Sequence, residues 1–366
     1  MRIAHVVSTF PPKVGGMGNV CYNEAKILSE RGHDVTVFTL EYPNIQEIDL
    51  PFKVVHLKAI LRLGDAGLVP QLIAKLKNFD IAHLHYPFYG GAEWVWFAKI
   101  LNKQKYVVTY HMDALPTTIT KLCVQKVYDI IFPRLILNGA EKVIAVDKEH
   151  LLQTKFGRKI YPEKVVEIQN AVDLDVFRPH EVSLEQLNLG RFENKKIILF
   201  VGNALKVKRL DIAIQSVEKL DNTALLVVGG GYEITAYREM IQDSALKDKI
   251  FFAGYCTDVN KLSDYYNIAD CVIIPSDAES FSLVALEAMA CGKPVVGSDI
   301  PALRARINNG IDGLLARPGS VEDFVNKISS VLASTSSDIK RKEGVARNFG
   351  WDKHVDKLMK NYNYQN

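Results

Sequence analysis

Two glutamates stand eight positions apart within one stretch of the chain, SDAESFSLVALEAMACGKPVVGSD. Glu279 lies in the polar turn near its start, and Glu287 lies in the apolar segment that follows. A carboxylate can accept two hydroxyl hydrogen bonds at once, which suits the neighbouring hydroxyls of a sugar or a ribose. The pair could therefore hold a sugar and a ribose with a diphosphate between them. The alternative is two solvated surface charges.

The residues around the two glutamates predict a strand, a loop and a helix. CVIIPS is a buried-strand pattern, and SLVALEAMA is a helical pattern that Gly292 ends. Ser282 is the expected N-cap of that helix. The unpaired N–H groups of its first turn would attract phosphate or sugar oxygens.

The whole string ESFSLVALEAMACGKPVV resembles the signature of retaining nucleotide-sugar glycosyltransferases of the GT-B fold, glycosyltransferase family four. Ser282 stands where that family usually has glycine. The resemblance implies that Glu279 contacts the donor sugar near the reaction centre and that Glu287 binds the ribose. It also implies that donor sugar and phosphate are held around Ser280, Phe281, Ser282, Leu283 and Val284.

The turn FVGNALKVKRLD resembles the family's G-R-x-x-x-x-K-G motif, whose two cations neutralise the diphosphate leaving group. Gly202 and Lys208 match the motif. Asn203 replaces the arginine and Arg209 replaces the second glycine, so Arg209 is a candidate to compensate for the missing charge. A solvated basic turn is the alternative interpretation.

Three further stretches resemble the family at its ligand sites. VVTYHMDA places His111 at a strand end, where the family has a histidine that lines the donor site close to the anomeric carbon; Asp113 is a weaker candidate. FPPKVGGMGNV matches the N-terminal glycine loop, and GYCTDVNKL matches a segment beside the nucleobase. These two stretches contribute the donor-site candidates Gly15, Gly16, Tyr255, Cys256 and Asp258.

The elements that must position these residues alternate in type along the chain. Six apolar strand patterns, RIAHVVST, DVTVFTL, FKVVHL, DIAHLHY, KYVVTYH and EKVIAVD, alternate with helical ones, such as residues 19–31, which Gly32 ends. Six more follow: KKIILFVG, TALLVVGG, DKIFFAG, DCVIIPS, KPVVGSD and DGLLARP. This rhythm is typical of parallel sheets covered by helices on both faces.

The predicted fold is therefore α/β, with two doubly wound, Rossmann-like domains facing a central cleft. The first spans residues 1–172, a polar linker spans 173–194, and the second spans 195–349. A helix over 350–366 is expected to pack back on the first domain, because Trp351, Val355 and Leu358 fall on one of its faces.

Composition excludes several classes of function. A net charge of +3 on 366 residues is too small to indicate nucleic-acid binding. The five cysteines are widely spaced, which predicts neither a zinc site nor a disulfide framework, and we expect reduced thiols in a cytoplasmic protein.

Asp173 and Asp175 form a D-x-D pair, but QNAVDLDVFRP resembles the family's interdomain segment. We therefore expect Asp173 and Asp175 to have a structural role, with a metal site as the alternative.

The expected activity is that of a metal-independent, retaining hexosyltransferase that needs no cofactor beyond its nucleotide-sugar donor. VTYHMD resembles a stretch of bacterial mannosyltransferases and favours GDP-mannose, with UDP-glucose and UDP-N-acetylglucosamine left open. The expected acceptor is a glycan or lipid-linked hydroxyl in cell-surface polysaccharide or glycolipid synthesis. The rival interpretations are a non-catalytic nucleotide-sugar binding protein, a nucleotide-sugar epimerase of the same fold, or a phosphorylase.

Two stretches, residues 59–79 and 118–138, interleave basic and apolar side chains. Both could lie on the inner face of a membrane and reach a lipid-linked acceptor there. The alternative is that they are ordinary helix faces buried in the protein.

Overall fold

Buried runs of β-branched residues form two parallel sheets, and each sheet organises one compact unit of the chain. One unit comprises Met1–Asn170 with Trp351–Asn366, and the other comprises Ala171–Gly350. The computed structural model describes residues 1–12, 16–42, 49–111, 119–231, 233–242, 244–279, 281–333 and 349–362, and for residues 119–127 and 150 it describes the backbone alone.

The sheet of the first unit has seven parallel strands, and a two-stranded antiparallel hairpin accompanies it. The strands are β1 (Arg2–Val6), β2 (Asp34–Leu40), β3 (Lys53–Leu57), β4 (Arg62–Leu63), β5 (Ala66–Gly67), β6 (Ile81–Tyr86), β7 (Tyr106–Tyr110), β8 (Val143–Ala145) and β9 (Val165–Glu167). The sheet order is β3-β2-β1-β6-β7-β8-β9, and β4 pairs with β5 in the hairpin.

Helices cover both faces of this sheet. They are α1 (Gly16–Glu30), α2 (Leu72–Leu76), α3 (Ala92–Asn102), α4 (Ile119–Gly139) and α5 (Lys148–Gln153), and the C-terminal α12 (Trp351–Tyr362) also belongs to this unit. One apolar layer joins the sheet to α2, α3 and α4, and a second joins its other face to α1 and α12. Arg31 ties α1 to α12 through Asp352 and Asp356, at 2.9 and 2.7 Å.

The second unit repeats the plan with six parallel strands. They are β10 (Lys196–Val201), β11 (Thr223–Val228), β12 (Ile250–Gly254), β13 (Cys271–Ile274), β14 (Val295–Ser298) and β15 (Gly313–Ala316), in the order β12-β11-β10-β13-β14-β15. The helices are α6 (Leu210–Glu218), α7 (Ile234–Gln242), α8 (Val259–Ile268), α9 (Leu283–Ala290), α10 (Pro301–Arg304) and α11 (Val321–Ala333). Because the strands are buried on both faces, they are almost continuously apolar.

The strand patterns of the sequence all occur as strands, whereas three short strands have no clear pattern. These are β9 and the β4–β5 hairpin, which have only two or three residues each. Residues 173–194, predicted as a linker, group with the second unit. Two hydrogen bonds anchor that segment to α8: Ser263 donates to the Val176 carbonyl at 2.8 Å, and the His180 N–H donates to Asn267 at 3.0 Å.

A close approach between two backbone turns shapes the chain after β11. Gly229 has φ +139°, and a Cβ on it would lie 2.0 Å from the carbonyl oxygen of Gly202 in the turn after β10. Since any side chain at this position would collide with backbone, the two turns can cross only if residue 229 is glycine.

We therefore expect Gly229→Ala to lower the free energy of unfolding by about 3 kcal/mol, because strain and collision add. Gly254→Ala is the matched control: its φ of +77° is also unfavourable for alanine, but no atom lies within 4 Å of the added Cβ. The control should cost about 1 kcal/mol. Thermal and urea unfolding measure the free energy of unfolding of both variants. Equal losses in the two variants would contradict the argument that a side chain at residue 229 collides with the backbone.

Candidate functional site

The strand order of the second sheet brings two loops together. β10 and β13 are neighbours, and the chain leaves them towards opposite edges of the sheet. Open α/β sheets bind ligands at such a switch point, at the carboxyl ends of the strands. Gly202 directly follows β10, and Ser276 and Glu279 follow β13, so the predicted donor residues of both loops lie at this point.

A lysine–glutamate ion pair joins these loops. Lys208 Nζ lies 2.7 Å from Glu279 Oε1 and 2.8 Å from Oε2. The Ser276 hydroxyl also donates to Glu279 Oε1, at 2.8 Å, and the Asp277 N–H donates to the Val207 carbonyl at 2.8 Å. The structure thus brings together two residues that the sequence assigned to the sugar and to the diphosphate.

Arg209, the candidate replacement for the missing arginine, is engaged by two carboxylates. Its Nε and Nη2 donate to Asp211 at 2.8 to 3.2 Å, and its Nη1 donates to Asp277 at 3.2 Å. These hydrogen bonds raise the pKa of the guanidinium above its ordinary value. The positive charge that stands next to Lys208 in sequence is therefore already neutralised by its neighbours.

Asn203 and Tyr255, both predicted at the donor site, contact each other. The Tyr255 hydroxyl donates to Asn203 Oδ1 at 2.9 Å, and 58% of the Tyr255 side chain's surface is exposed. Gly230 makes room for this ring, since a Cβ at residue 230 would lie 2.2 Å from it. An exposed aromatic ring held in a fixed orientation can stack on a planar base.

Cys256 and Asp258 have local structural contacts. The Asp258 carboxylate accepts from the N–H groups of Asn260 and Lys261 at 2.9 and 3.4 Å, so it is the N-cap of α8. The Cys256 thiol donates to the Asp258 carbonyl at 3.2 Å, and burial raises the pKa of that thiol. These contacts fix the loop that carries Tyr255.

The backbone at the start of α9 has a conformation that favours glycine over serine. Ser282 has φ +68°, the left-handed region that glycine adopts most readily, and its side chain makes no capping hydrogen bond. Ser282 therefore occupies the N-cap position that the sequence predicts, but the expected side-chain capping hydrogen bond is absent. Its buried Oγ has no hydrogen-bond partner among the described residues.

The neighbours of Ser282 have different surroundings. The Phe281 ring is buried beneath the Arg306 guanidinium, which lies 4.0 Å from the ring centroid. Leu283 and Val284 are partly exposed, and as the first residues of α9 their N–H groups have no acceptor within the helix. Ser280 lies outside the described residues.

Glu287 lies inside α9 and pairs with a phenol. The Tyr266 hydroxyl donates to Glu287 Oε2 at 2.7 Å. Burial raises the pKa of Glu287, and the Tyr266 hydrogen bond partly opposes that shift. A carboxylate has about four acceptor positions, so Glu287 can still accept hydroxyl groups of a ligand.

His111 directly follows β7 in the first unit, and both its backbone and its ring are hydrogen-bonded. Its backbone N–H donates to the Tyr86 carbonyl at 2.9 Å, and its ring Nε2 lies 3.0 Å from His85 Nδ1. Burial lowers the pKa of His111 to about 3, which keeps the ring neutral. Gly16 is the first residue of α1, while Gly15 and Asp113 lie outside the described residues.

Sequence reasoning missed a cluster of buried polar residues behind His111. His5, His83, His85 and Glu24 are all fully or almost fully buried, and their ligand-type atoms lie within 4.8 Å of one another. The signal that could have found them is the pattern of histidines at alternate positions of β6, with a third in β1. Such residues are unexpected in strands that are otherwise apolar.

The D-x-D pair has a structural contact. Asp173 Oδ1 accepts from the N–H groups of Asp175 and Val176, at 3.0 and 3.3 Å. The carboxylate of Asp173 therefore caps the turn at the start of the second unit.

Two family models match the chain, one for each half. The model described as Glycosyltransferase Family 4 matches residues 14–176, and the model described as Glycosyl transferases group 1 matches residues 185–347. Together they cover both units and their candidate residues.

Two curated relatives are similar over most of their length. The D-inositol 3-phosphate glycosyltransferase of Geodermatophilus obscurus is 28% identical over 95% of this chain and 84% of its own. The N-acetyl-alpha-D-glucosaminyl L-malate synthase of Bacillus anthracis is 29% identical over 88% of this chain and 85% of its own.

Solved structures share the two-unit GT-B fold. The sucrose-phosphate synthase of Thermosynechococcus elongatus has a TM-score of 0.81 at 23% identity and covers 99% of this chain and 98% of its own. Anabaena Alr3699/HepE, solved in complex with UDP-glucose, has a TM-score of 0.78 at 19% identity and covers 98% of each chain. At these identities the likeness shows the fold.

The geometry of residue 282 predicts that Ser282→Gly stabilises the second unit by about 1 kcal/mol, because it removes both an unfavourable φ and an unpartnered buried hydroxyl. Ser282→Ala is the control, since it removes the hydroxyl and keeps the unfavourable φ. In thermal unfolding, Ser282→Gly should have a higher midpoint temperature than Ser282→Ala. A glycine variant less stable than the native protein would contradict the argument.

Proposed function

The chain belongs to the group 1 glycosyltransferases, and we propose that it moves a hexose from a nucleotide diphosphate sugar to an acceptor hydroxyl, with retention at the anomeric carbon and without a metal ion. The observation that carries the proposal is the Lys208–Glu279 pair at the switch point of the second sheet, held at 2.7 Å within the family's motif. In this pair a cation lies next to the carboxylate that we propose contacts the donor sugar.

The proposed role of Lys208 is to stabilise the diphosphate as it leaves. An ammonium group has three N–H donors, so Lys208 can keep one on Glu279 while it donates others to phosphate oxygens. The N–H groups of Leu283 and Val284, at the positive end of α9, would hold the same anion. A cation and oriented dipoles do here what a metal ion does in other transferases.

Glu279 and Glu287 are the proposed contacts to hydroxyl groups at the two ends of the donor. Glu279 is fixed by Lys208 and Ser276 and would accept from the hexose. Glu287 would accept from the ribose while Tyr266 holds its other oxygen. Tyr255, steadied by Asn203, is the proposed stacking partner of the base.

The donor we propose to test first is GDP-mannose, beside UDP-glucose and UDP-N-acetylglucosamine. For the acceptor there are two candidates. The first is a glycan or lipid-linked hydroxyl in polysaccharide or glycolipid synthesis. The second is a small anionic hydroxyl compound, because the names of the two relatives cite an inositol phosphate and a malate.

The test begins with thermal shifts against the three donors, then measures donor hydrolysis and transfer to both acceptor classes with the best binder. Transfer with a retained anomeric configuration, unaffected by chelator, supports the proposal. Stabilisation by a donor without hydrolysis or transfer supports the non-catalytic binding protein instead, and interconversion of free nucleotide sugars supports the epimerase.

Glu279→Ala and Lys208→Ala should each lower kcat/KM for transfer by about 100-fold or more, since each removes a group that stabilises charge or position in the transition state. Lys206→Ala is the matched control, because Lys206 is an exposed lysine in the same turn. Circular dichroism confirms folding. Transfer at the level of the Lys206→Ala variant would contradict the assigned role.

We also propose that the protein is cytoplasmic and that the first unit touches the inner face of the membrane. Helix α4 exposes Ile130, Ile131, Arg134 and Leu135, spaced so that they share one face. In residues 59–79, Ile60 and Leu61 are each 72% exposed, whereas Leu72 and Leu76 are buried. Among the helices described, none is long and apolar enough to span a bilayer.

Flotation with vesicles tests this contact. Vesicles with anionic lipid should enrich the protein over neutral vesicles, and Ile130→Asp, at a site 74% exposed, should reduce that enrichment several-fold. Met240→Asp, at a site 55% exposed on α7 of the second unit, is the control and should leave it unchanged. Equal recovery with anionic and neutral vesicles would remove the proposal.

A further inference from the structure

Five polar side chains of three adjacent strands share one face of the first sheet. His5 pairs in register with His83, and His85 pairs with Thr109. Because side chains alternate across a strand, residues two apart point to the same face, which here also carries His111. This face packs against α1 and α12, in a layer that is otherwise apolar.

Three of these imidazoles form a hydrogen-bonded chain that ends at His111. His5 Nδ1 lies 3.0 Å from His85 Nε2, and His85 Nδ1 lies 3.0 Å from His111 Nε2. At the inner end, Glu24 Oε2 lies 3.8 Å from His5 Nδ1 and 3.7 Å from His85 Nε2. The other carboxylate oxygen of Glu24 is 2.8 Å from His354 Nε2 on α12.

His83 lies in the same layer but makes different hydrogen bonds. Its Nδ1 is 2.6 Å from the Tyr362 hydroxyl and its Nε2 is 2.6 Å from Thr109 Oγ1. It is as buried as His85. His83 is therefore a suitable control for His85. Both rings are fully buried, but only His85 is hydrogen-bonded to His111.

The ring arrangement favours hydrogen bonds over a shared metal ion. A metal ion lies in the plane of each imidazole that binds it. The rings of His83 and His85 are stacked at 4.5 Å with 24° between their planes, whereas those of His5 and His83 lie at 4.9 Å with 45° between their planes. The planes of two stacked rings do not meet close to both rings, so His83 and His85 are not arranged to bind one ion together.

We infer that His85 and His5 are positioning residues that fix the ring orientation and the tautomer of His111, with the proton of His111 on Nδ1. The inference rests on the proposed function only in that His111, which the family resemblance assigns to the donor site, would take part in sugar transfer. The hydrogen-bonded chain itself is a property of the first unit.

The direction of the chain follows from its buried end. His5 Nε2 has no hydrogen-bond partner among the described residues. If the protons point inwards, this atom is an unpaired N–H donor. If they point outwards, from His5 to His85 to His111, it is only an unpaired acceptor. Orphaned buried donors are rarer than under-used acceptors, so the outward direction is favoured.

Burial supports a neutral chain in which this direction matters. It lowers the pKa of His5 to about 3 and the pKa of His85 well below its ordinary value. A neutral imidazole has one donor nitrogen and one acceptor nitrogen. Each ring therefore sets the tautomer of the next, and His111 receives a proton donor at Nε2.

The test replaces His85 with two amides that reproduce different ring nitrogens. The asparagine amide reaches the position of Nδ1 and can still donate to His111, whereas the glutamine amide reaches the position of Nε2 and cannot. His85→Gln should lower kcat roughly 10- to 100-fold with little change in the donor KM. His85→Asn should retain more of kcat, and His83→Gln should lower thermal stability without changing kcat.

Nitrogen-15 NMR of the histidine side chains reads the tautomer directly and needs no enzymatic activity. In the native protein, Nδ1 of His111 should be the protonated nitrogen, and His85→Gln should shift or mix the tautomers while His83→Gln does not. A native protein that transfers no sugar would overturn the proposed function, but it would leave the inference about the His111 tautomer intact. A protonated Nε2 in the native protein, or equal effects of His83→Gln and His85→Gln, would overturn the inference. So would a stoichiometric metal ion that His85→Gln releases.

Discussion

The candidate site of the second unit depends on one contact between loops that lie far apart in sequence, the ion pair of Lys208 with Glu279. The strand order makes this contact possible, because β10 and β13 are neighbours and end at the same edge of the sheet. The hydrogen bond from the Asp277 N–H to the Val207 carbonyl then holds the loops together. Since Lys208 is only partly exposed, the pair is less screened than a surface ion pair and can hold Glu279 in one orientation before a ligand arrives.

In the first unit, the corresponding constraint is a polar layer inside an apolar one. Burying imidazoles and a carboxylate lowers stability unless each group finds a partner. Most do: His83, His85 and His354 each use both ring nitrogens. One nitrogen of His5 and one oxygen of Glu24 do not. The contacts of these groups lead to His111, so the role inferred for them is to position that ring and not to stabilise the layer.

Much of the fold could be predicted from the sequence, because buried parallel strands leave continuous apolar runs and helices leave a different period. The β4–β5 hairpin and β9 could not, since two or three residues establish no period. The motif located Glu279, Lys208 and Glu287, but it did not locate Tyr266, because the contact of Tyr266 with Glu287 joins residues 21 positions apart. Ser282 was misread for another reason: a serine before a helix usually caps it, and only the backbone shows φ +68°.

The charges at the switch point restrict how a diphosphate could bind. Lys208 and Arg209 face three carboxylates, those of Glu279, Asp211 and Asp277. This group of five side chains is therefore net negative, and its average field does not attract an anion. Arg209 is held by a bidentate contact, from Nε to Asp211 Oδ1 and from Nη2 to Asp211 Oδ2, which is directional and hard to share. Lys208 is a point charge with three donors and can be shared between Glu279 and phosphate. With asparagine at residue 203, the proposed recognition of a diphosphate would rest on Lys208 and the N–H groups of α9, and it would depend on the backbone of the turn at residue 282.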